Sequence, residues 1–203
     1  MTWMIEYYSE KVRSAVDDWP LGIRAFYARI TERMKIHGPN LGMPMTRSLG
    51  EGLFEIRAIG REGIGRAFFS VQSRSEVSLS FMSLLKRRTK RHFKNWKRAE
   101  SDCWRCSMKT HDEMVADWMK DPKFKGEYDA LEEEFNLFDE ALKARRRAGL
   151  TQAEIAIRMG TKVPAVARME AGGGSKHHSP SIATLRRYAD AVGCKLKIEF
   201  VPR

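Results

Sequence analysis

The spacing of apolar positions predicts an α+β region at the start of the chain. Residues 3–8 have the composition of a strand, and residues 22–37 carry apolar side chains every three or four positions, which is typical of an amphipathic helix. The apolar stripe of this helix consists of Ile23, Phe26, Ile30 and Met34. Short β-like runs broken by glycine then follow at residues 45–49, 52–59, 65–72 and 77–84. A helix plus an antiparallel sheet predicts a compact α+β domain over residues 1–85.

The pattern over residues 108–203 is mainly helical. A short helix is predicted over residues 112–119 and a longer one over residues 123–148. The longer helix has an apolar stripe made of Tyr128, Leu131, Phe135, Phe138 and Leu142. Further helices are predicted at residues 151–159, 162–170 and 181–192, and a strand at residues 195–201. This half is therefore expected to be an all-α domain with a C-terminal strand.

Residues 150–172 have the features of a helix-turn-helix motif, within a domain of about residues 137–193. Thr151 can cap the first helix with Glu154 in the reciprocal capping position, and Gly160 suits the tight turn. The predicted shared core consists of Ile155, Met159, Val166 and Met169. In this motif the second helix enters the major groove, and the N-terminus of the first meets the backbone. The candidate DNA-binding residues are Gln152, Lys162, Val163, Ala165 and Arg168.

This motif resembles the XRE (lambda-repressor-like) family, and residues 108–203 resemble HigA-type antitoxins. Such antitoxins usually repress their own operon as dimers, so the resemblance implies operator DNA as a partner. Pro164 and Ala165 stand where polar residues are common in that family, which indicates weak reading of bases. Use of the motif for packing or dimerisation alone is the alternative.

The glycine-bounded segment of residues 52–69 carries a second candidate site. Alternation along a strand places Glu55 and Arg57 on one face, and the predicted hairpin brings Arg66 near Arg57. Clustered arginines can hold an RNA phosphate and stabilise charge that develops on it. A set of surface salt bridges on a small sheet is the alternative. The sequence offers no cluster of His, Tyr or Asp as an obvious general base.

This segment resembles the RelE/HigB (phage Gp49-like) toxins, small RNases that cleave mRNA, typically on the ribosome. The resemblance implies Arg57 and Arg66 as active-site residues, with Arg61 and Glu55 as secondary members, in an ancestral site that we expect to be inactive or strongly attenuated. It also implies mRNA or the ribosome as a partner.

The net charge of +11 is concentrated in the first half of the chain. Residues 1–107 hold 20 lysines and arginines against 11 acidic residues, whereas the remaining residues hold 17 against 15. This asymmetry favours a polyanionic partner for the first half, with a merely solvated basic surface as the alternative. Residues 86–107 form a basic linker without a clean period.

The linker replaces the Phe-Lys-Lys-Thr-like segment and C-terminal helix with which such toxins usually end. A permissible choice of codons from Leu84 onward gives a toxin-like tail in another frame. We therefore hypothesise that a frameshift near residues 81–84 replaced the tail and joined two overlapping genes.

Metal and membrane binding have little support in the sequence. Cys103 and Cys106 form one C-x-x-C without a second pair, although His92 and His111 are near in sequence. We therefore expect no metal and no cofactor. The chain has no apolar run of roughly 18 residues and no signal-like N-terminus, so we expect a cytoplasmic protein without a membrane partner.

Three hypotheses for function remain open. The favoured one is a toxin–antitoxin fusion whose RNase-like half is neutralised or inactive. Its chains would associate through toxin–antitoxin and antitoxin–antitoxin interfaces, which can close into a higher-order assembly. The second is a DNA-binding autorepressor with an inactive toxin domain. The third is a bifunctional RNase restrained by its attached antitoxin.

Overall fold

The computed structural model describes residues 3–7, 9–50, 52–72, 78–83, 110–170 and 180–199, with the backbone alone at residues 72 and 78–83. The chain forms two compact units, the first of Met1–Leu41 and Met45–Ala130, the second of Gly42–Pro44 and Leu131–Arg203. The linker of residues 86–107, with His92, Cys103 and Cys106, lies outside the described residues. None of the helices in the described ranges is long and apolar enough to cross a membrane.

The first unit contains a five-stranded mixed sheet in the order β1-β5-β4-β3-β2. Its strands are β1 (Met4–Tyr7), β2 (Thr46–Gly50), β3 (Leu53–Gly60), β4 (Gly63–Gln72) and β5 (Ser78–Ser83). Strands β2 to β5 pair antiparallel, as the sequence predicts. Strand β1 instead pairs parallel with β5, because the intervening chain crosses the sheet before it returns. The α+β class of this half is confirmed.

Two helices connect β1 to β2. Helix α1 (Glu10–Asp17), which was not predicted from the sequence, begins where the Ser9 hydroxyl accepts a hydrogen bond from the Val12 amide. Helix α2 (Leu21–His37) buries its predicted apolar stripe. It approaches the sheet closely at Gly65, where a Cβ atom would lie 2.5 Å from Cγ2 of Ile23. Only a glycine at this position allows α2 to pack so near.

Two further helices of the first unit come from the segment that resembles an antitoxin. They are α3 (His111–Trp118) and α4 (Pro122–Asp129). Helix α3 begins with a capping box between Thr110 and Glu113. The single helix predicted over residues 123–148 is wrong, because the chain breaks after α4 and begins a new helix at Glu132. Tyr128 is therefore buried in the first unit rather than in a continuous stripe with Phe135.

The second unit is helical in its described part. It comprises α5 (Glu132–Arg147), α6 (Gln152–Arg158), α7 (Val163–Glu170) and α8 (Ile182–Ala191). Its core holds all four predicted residues, together with Ala156, Tyr188, Ala191 and Val192. The C-terminal strand is not formed over residues 194–199, while residues 200 and 201 lie outside the described residues. A strand needs a neighbour for its backbone groups, and the described part of this unit contains none.

Candidate functional site

The predicted arginine cluster forms on the sheet face opposite α2. Arg57 on β3 and Arg66 on β4 are direct cross-strand partners, as the predicted hairpin requires. Glu55 is buried, and its Oε1 accepts a hydrogen bond of 3.0 Å from Nη1 of Arg66. Arg57 is half-buried, and its Nε has no hydrogen-bond partner among the described residues. The three side chains thus form one cluster with an excess of positive charge.

Arg61 does not join this cluster. It lies in the turn between β3 and β4, four residues beyond Arg57, which corresponds to about 13 Å along a strand. Its side chain is 69% exposed and lies 3.6 Å from Oε1 of Glu127. The geometry therefore supports Glu55, Arg57 and Arg66 as one site and leaves Arg61 outside it.

The cluster has the chemistry of anion binding rather than of proton transfer. Two guanidinium groups on neighbouring strands can contact one phosphate. The carboxylate of Glu55 is engaged by Arg66. The described strands contain no histidine that could act as a general base.

The helix-turn-helix motif has the predicted geometry. The Thr151 hydroxyl accepts from the Glu154 amide, and Oε2 of Glu154 accepts from the Thr151 amide at 2.7 Å, which completes the capping box. Gly160, with φ of +62°, makes the turn between α6 and α7. The predicted roles of these three residues are confirmed.

A buried polar network connects the four described helices of the second unit. The carboxylate of Glu170 on α7 accepts hydrogen bonds from Arg145 on α5, Gln152 on α6 and Tyr188 on α8, at 2.7–2.8 Å. The Tyr188 hydroxyl also lies 3.1 Å from the carbonyl oxygen of Ala141. Burial, followed by the charge of Glu170, raises the pKa of Tyr188 and keeps its proton in place. The network fixes the angle at which α7 is presented.

The candidate DNA-binding residues lie on one side of the motif. Lys162, Val163 and Arg168 are exposed and Ala165 is half-buried, so the outer face of α7 and the turn before it are available to a ligand. Gln152 was expected to meet a phosphate, but one of its amide hydrogens is directed to Glu170. Its second amide hydrogen keeps the capacity for that contact.

Helices α3 and α4 pack against α2, with Arg24 and Arg29 of α2 at the contact. The Arg24 guanidinium carbon lies 5.4 Å from the ring centre of Trp118 and 5.9 Å from that of Phe124. The guanidinium carbon of Arg29 lies 3.7 Å from the ring centre of Tyr128. Such contacts between cations and rings stabilise buried interfaces beyond the effect of area alone. This site was not predicted from the sequence, although three large aromatic side chains in two short helices were a signal for it.

Hydrogen bonds reinforce this contact. Arg29 donates to the carbonyl oxygen of Tyr128 at 3.2 Å, and the Tyr128 hydroxyl donates to Glu32 at 2.7 Å. The indole Nε1 of Trp118 donates to Asp17 of α1 at 2.5 Å. Lys35 forms an ion pair with Asp112. The contact therefore combines apolar, cation–ring and charged components along the length of α2.

His111 is the buried polar centre of the same contact. Its Nδ1 lies 2.9 Å from the hydroxyl of Tyr7 and its Nε2 lies 3.0 Å from Oγ1 of Thr31. Because the Thr31 hydroxyl donates to backbone carbonyls of α2, its oxygen accepts from His111, which assigns the proton to Nε2. Nδ1 then accepts from Tyr7, whose hydroxyl oxygen lies 3.2 Å from that of Tyr27. Burial raises the pKa of both tyrosines.

The buried His111 predicts that the first unit loses stability in mild acid. Burial, followed by the charge of Lys35 and opposed by that of Asp112, lowers the pKa of His111 to about 3. The histidine of the unfolded chain binds a proton near pH 6.5, whereas the folded one does not. The contribution of neutral His111 to the free energy of unfolding is therefore fully present above pH 6.5 and is lost as the pH falls towards 3. Between pH 7 and pH 5 the free energy of unfolding measured by urea titration should fall by about 2 kcal/mol. His111→Gln should remove that dependence, and an unchanged slope would assign it to other groups.

No group of His, Cys, Asp and Glu that could hold a metal ion occurs in the described part of the chain. The predicted candidate pair, Cys103 and Cys106, lies outside the described residues. The candidate sites are therefore the arginine cluster, the helix-turn-helix face and the contact of α2 with α3 and α4.

Comparison with known proteins places a family on each half of the chain. Residues 14–101 match the family of phage derived protein Gp49-like sequences, and residues 142–198 match the helix-turn-helix family. Antitoxin HigA1 of two strains of Mycobacterium tuberculosis, CDC 1551 / Oshkosh and ATCC 25618 / H37Rv, is 36% identical over 78 residues. That alignment covers 38% of this chain and 50% of each HigA1, so the chain spans about half the length of these relatives.

These matches agree with the architecture of the two halves. The strands and helices of the first match belong to the first unit, and those of the second match belong to the second. The protein therefore joins a phage-derived Gp49-like domain to an XRE-type helix-turn-helix domain homologous to antitoxin HigA1.

Proposed function

We propose that this protein is a toxin–antitoxin fusion whose Gp49-like domain is neutralised within its own chain by α3 and α4. The single observation that carries the proposal is the packing of these two helices in the first unit. They lie in the segment that resembles an antitoxin, yet their buried side chains contact α1, α2 and β1. A tethered inhibitor has a high effective concentration, which favours closure within one chain.

The arginine cluster supports an attenuated RNase rather than an efficient one. Arg57 and Arg66 suit the binding of an mRNA phosphate, but Glu55 is engaged and no histidine lies on the described strands. Loss of the toxin-like tail by a frameshift, which stays a hypothesis, agrees with this inference. Growth arrest on expression of the intact fusion would support the bifunctional alternative, whereas normal growth supports neutralisation.

Self-association is proposed to involve the helix-turn-helix units rather than the Gp49-like domain. Because α3 and α4 already cover the docking side of α2, we expect a second copy to pair through its antitoxin-like segment instead. Light scattering coupled to size exclusion should therefore give a mass of one or two chains. A discrete mass of many chains would instead mean that α3 and α4 dock on neighbouring molecules in a higher-order assembly.

Repression through operator DNA is the second proposed function. The observation in its favour is the exposed face formed by Lys162, Val163 and Arg168 beside the confirmed turn. The presence of Pro164 and Ala165 on this face supports contacts to the DNA backbone more than to bases. The candidate operator is the DNA upstream of the gene itself.

Removing single cations from this face is expected to separate base contacts from phosphate contacts. Lys162→Ala should weaken binding to all duplexes and reduce the slope of log affinity against log salt by about 1. Arg168→Ala should cost about 1–3 kcal/mol on the upstream DNA if it contacts a base, and little on unrelated DNA. Lys143→Ala, an exposed change on α5, is the matched control. Equal affinities of all four proteins in anisotropy titrations would exclude this face as the DNA-binding surface.

A further inference from the structure

The side of α2 that α3 and α4 cover is basic. Arg24 and Lys35 share one edge of this side because they are eleven residues, or three helical turns, apart, whereas Arg29, five residues after Arg24, lies about 140° further round the helix axis at its other edge. Helix α2 carries four lysines and arginines against one acidic residue. Residues 110–130, which contain α3 and α4, carry six acidic residues against three basic ones. The two surfaces are complementary in charge, and we name the first, defined by Arg24, Arg29 and Lys35, the basic face of α2.

The contacts on this face are of two chemical types. Arg24 and Arg29 each have aromatic rings against their guanidinium groups, at 3.7–5.9 Å from the ring centres. Lys35 has a carboxylate, that of Asp112, at its ammonium group. Single-stranded nucleic acid presents the same two features, since bases stack on guanidinium planes and phosphates pair with ammonium groups.

Helices α3 and α4 leave one hydrogen-bond donor of this face without an acceptor among the described residues. The Nε of Arg24 is buried without a hydrogen-bond acceptor among the described residues. Two aromatic rings lie against the guanidinium group, and Oδ1 of Asp17 is 3.6 Å from its Nη1. A buried donor without an acceptor is costly, so α3 and α4 are an incomplete ligand for this arginine. A phosphate oxygen would supply what they lack.

We propose that the basic face of α2 is a binding surface for single-stranded RNA, and that α3 and α4 restrain the Gp49-like domain by occupying it. The inference rests on the proposed neutralisation by α3 and α4 and states how it works. The basic face is distinct from the arginine cluster, because α2 packs on one face of the sheet and Arg57 and Arg66 lie on the other. Restraint thus acts by blocking attachment of RNA, and the cluster itself stays uncovered by these helices.

The test measures binding of a fluorescein-labelled 20-nucleotide single-stranded RNA to the full chain by anisotropy at several salt concentrations. Tyr128→Ala removes the ring on Arg29 and the bond to Glu32, so it should weaken the docking of α4 and tighten RNA binding about tenfold. The slope of log affinity against log salt concentration should steepen by about 0.7 for each phosphate contacted. Addition of Arg24→Gln or Arg29→Gln should abolish the gain. Addition of Lys11→Gln, an exposed change on α1, should preserve it.

A second opened variant protects the test against misfolding. Asp112→Asn with Glu127→Gln removes two carboxylates at the contact while every buried ring stays in place. If Tyr128→Ala loses its native circular dichroism, this double variant is measured in the same way. The proposal would be overturned if neither folded variant bound RNA more tightly, or if the gain in RNA affinity survived Arg24→Gln and Arg29→Gln. The basic face of α2 would then be a protein interface only. Such a result would leave the neutralisation untouched, since docking of α3 and α4 is measured separately, by cleavage of the linker.

Discussion

Replacement of Phe124 by alanine should lower the free energy of unfolding of the first unit by about 3–5 kcal/mol. Phe124 is fully buried, and its ring centre lies 5.5 Å from that of Trp118 and 6.2 Å from that of Tyr128. Its removal leaves a cavity among the aromatic side chains that hold α4 against α2. Urea unfolding followed by tryptophan fluorescence measures the loss, because Trp118 lies at the contact.

The matched control is Lys123→Ala, which changes the preceding, exposed residue of the same helix. It should alter stability by no more than about 0.5 kcal/mol. If Phe124→Ala were as stable as this control, α4 would contribute nothing to the first unit. The restraint proposed for the Gp49-like domain would then have no structural basis.

Replacement of Glu170 by alanine should be equally damaging to the second unit, at a cost of about 3–5 kcal/mol. The change removes one acceptor from three donors at once and leaves Arg145, whose side chain is only 16% exposed, without its carboxylate. DNA binding should fall in parallel, because α7 loses the contacts that fix it to α5, α6 and α8. Thermal unfolding followed by circular dichroism measures the effect.

Glu170→Gln is the more conservative comparison, since it keeps a carbonyl oxygen as an acceptor for Tyr188 or Arg145. It should retain more stability than Glu170→Ala. Glu140→Ala, at an exposed ion pair with Lys143, should have little effect. A loss below about 1 kcal/mol for Glu170→Ala would mean that the apolar core alone holds the helices of this unit together.

Local signals in the sequence predicted the elements that depend on local rules. The capping box of Thr151 and Glu154, the turn at Gly160 and the pairing of Arg57 with Arg66 follow from spacing alone, and the structure confirms them. The helix stripe that begins at Ile23 was found for the same reason. Each is decided by the period of a helix or strand or by the chemistry of one turn.

Tertiary contacts decided the features that the sequence did not indicate. Tyr128 and Phe135 continue one helical stripe in sequence, but they are buried in different units, and only the position of α2 determines this. His111 was weighed as a zinc ligand, although its partners Tyr7 and Thr31 are far away in the chain and complete a neutral hydrogen-bond network. The strand predicted at residues 195–201 has local propensity but no neighbouring strand in the described part of its unit.

The most direct test of the central claim is to cut the linker and ask whether the two pieces stay together. A protease site inserted at residues 102–107, after the end of the Gp49-like match, separates the Gp49-like domain from α3 and α4 without changing any described residue of their contact. After cleavage, size exclusion coupled to light scattering should show both fragments in a single complex of unchanged mass. Elution of the Gp49-like fragment apart from the fragment that carries α3 and α4 would contradict neutralisation through this contact.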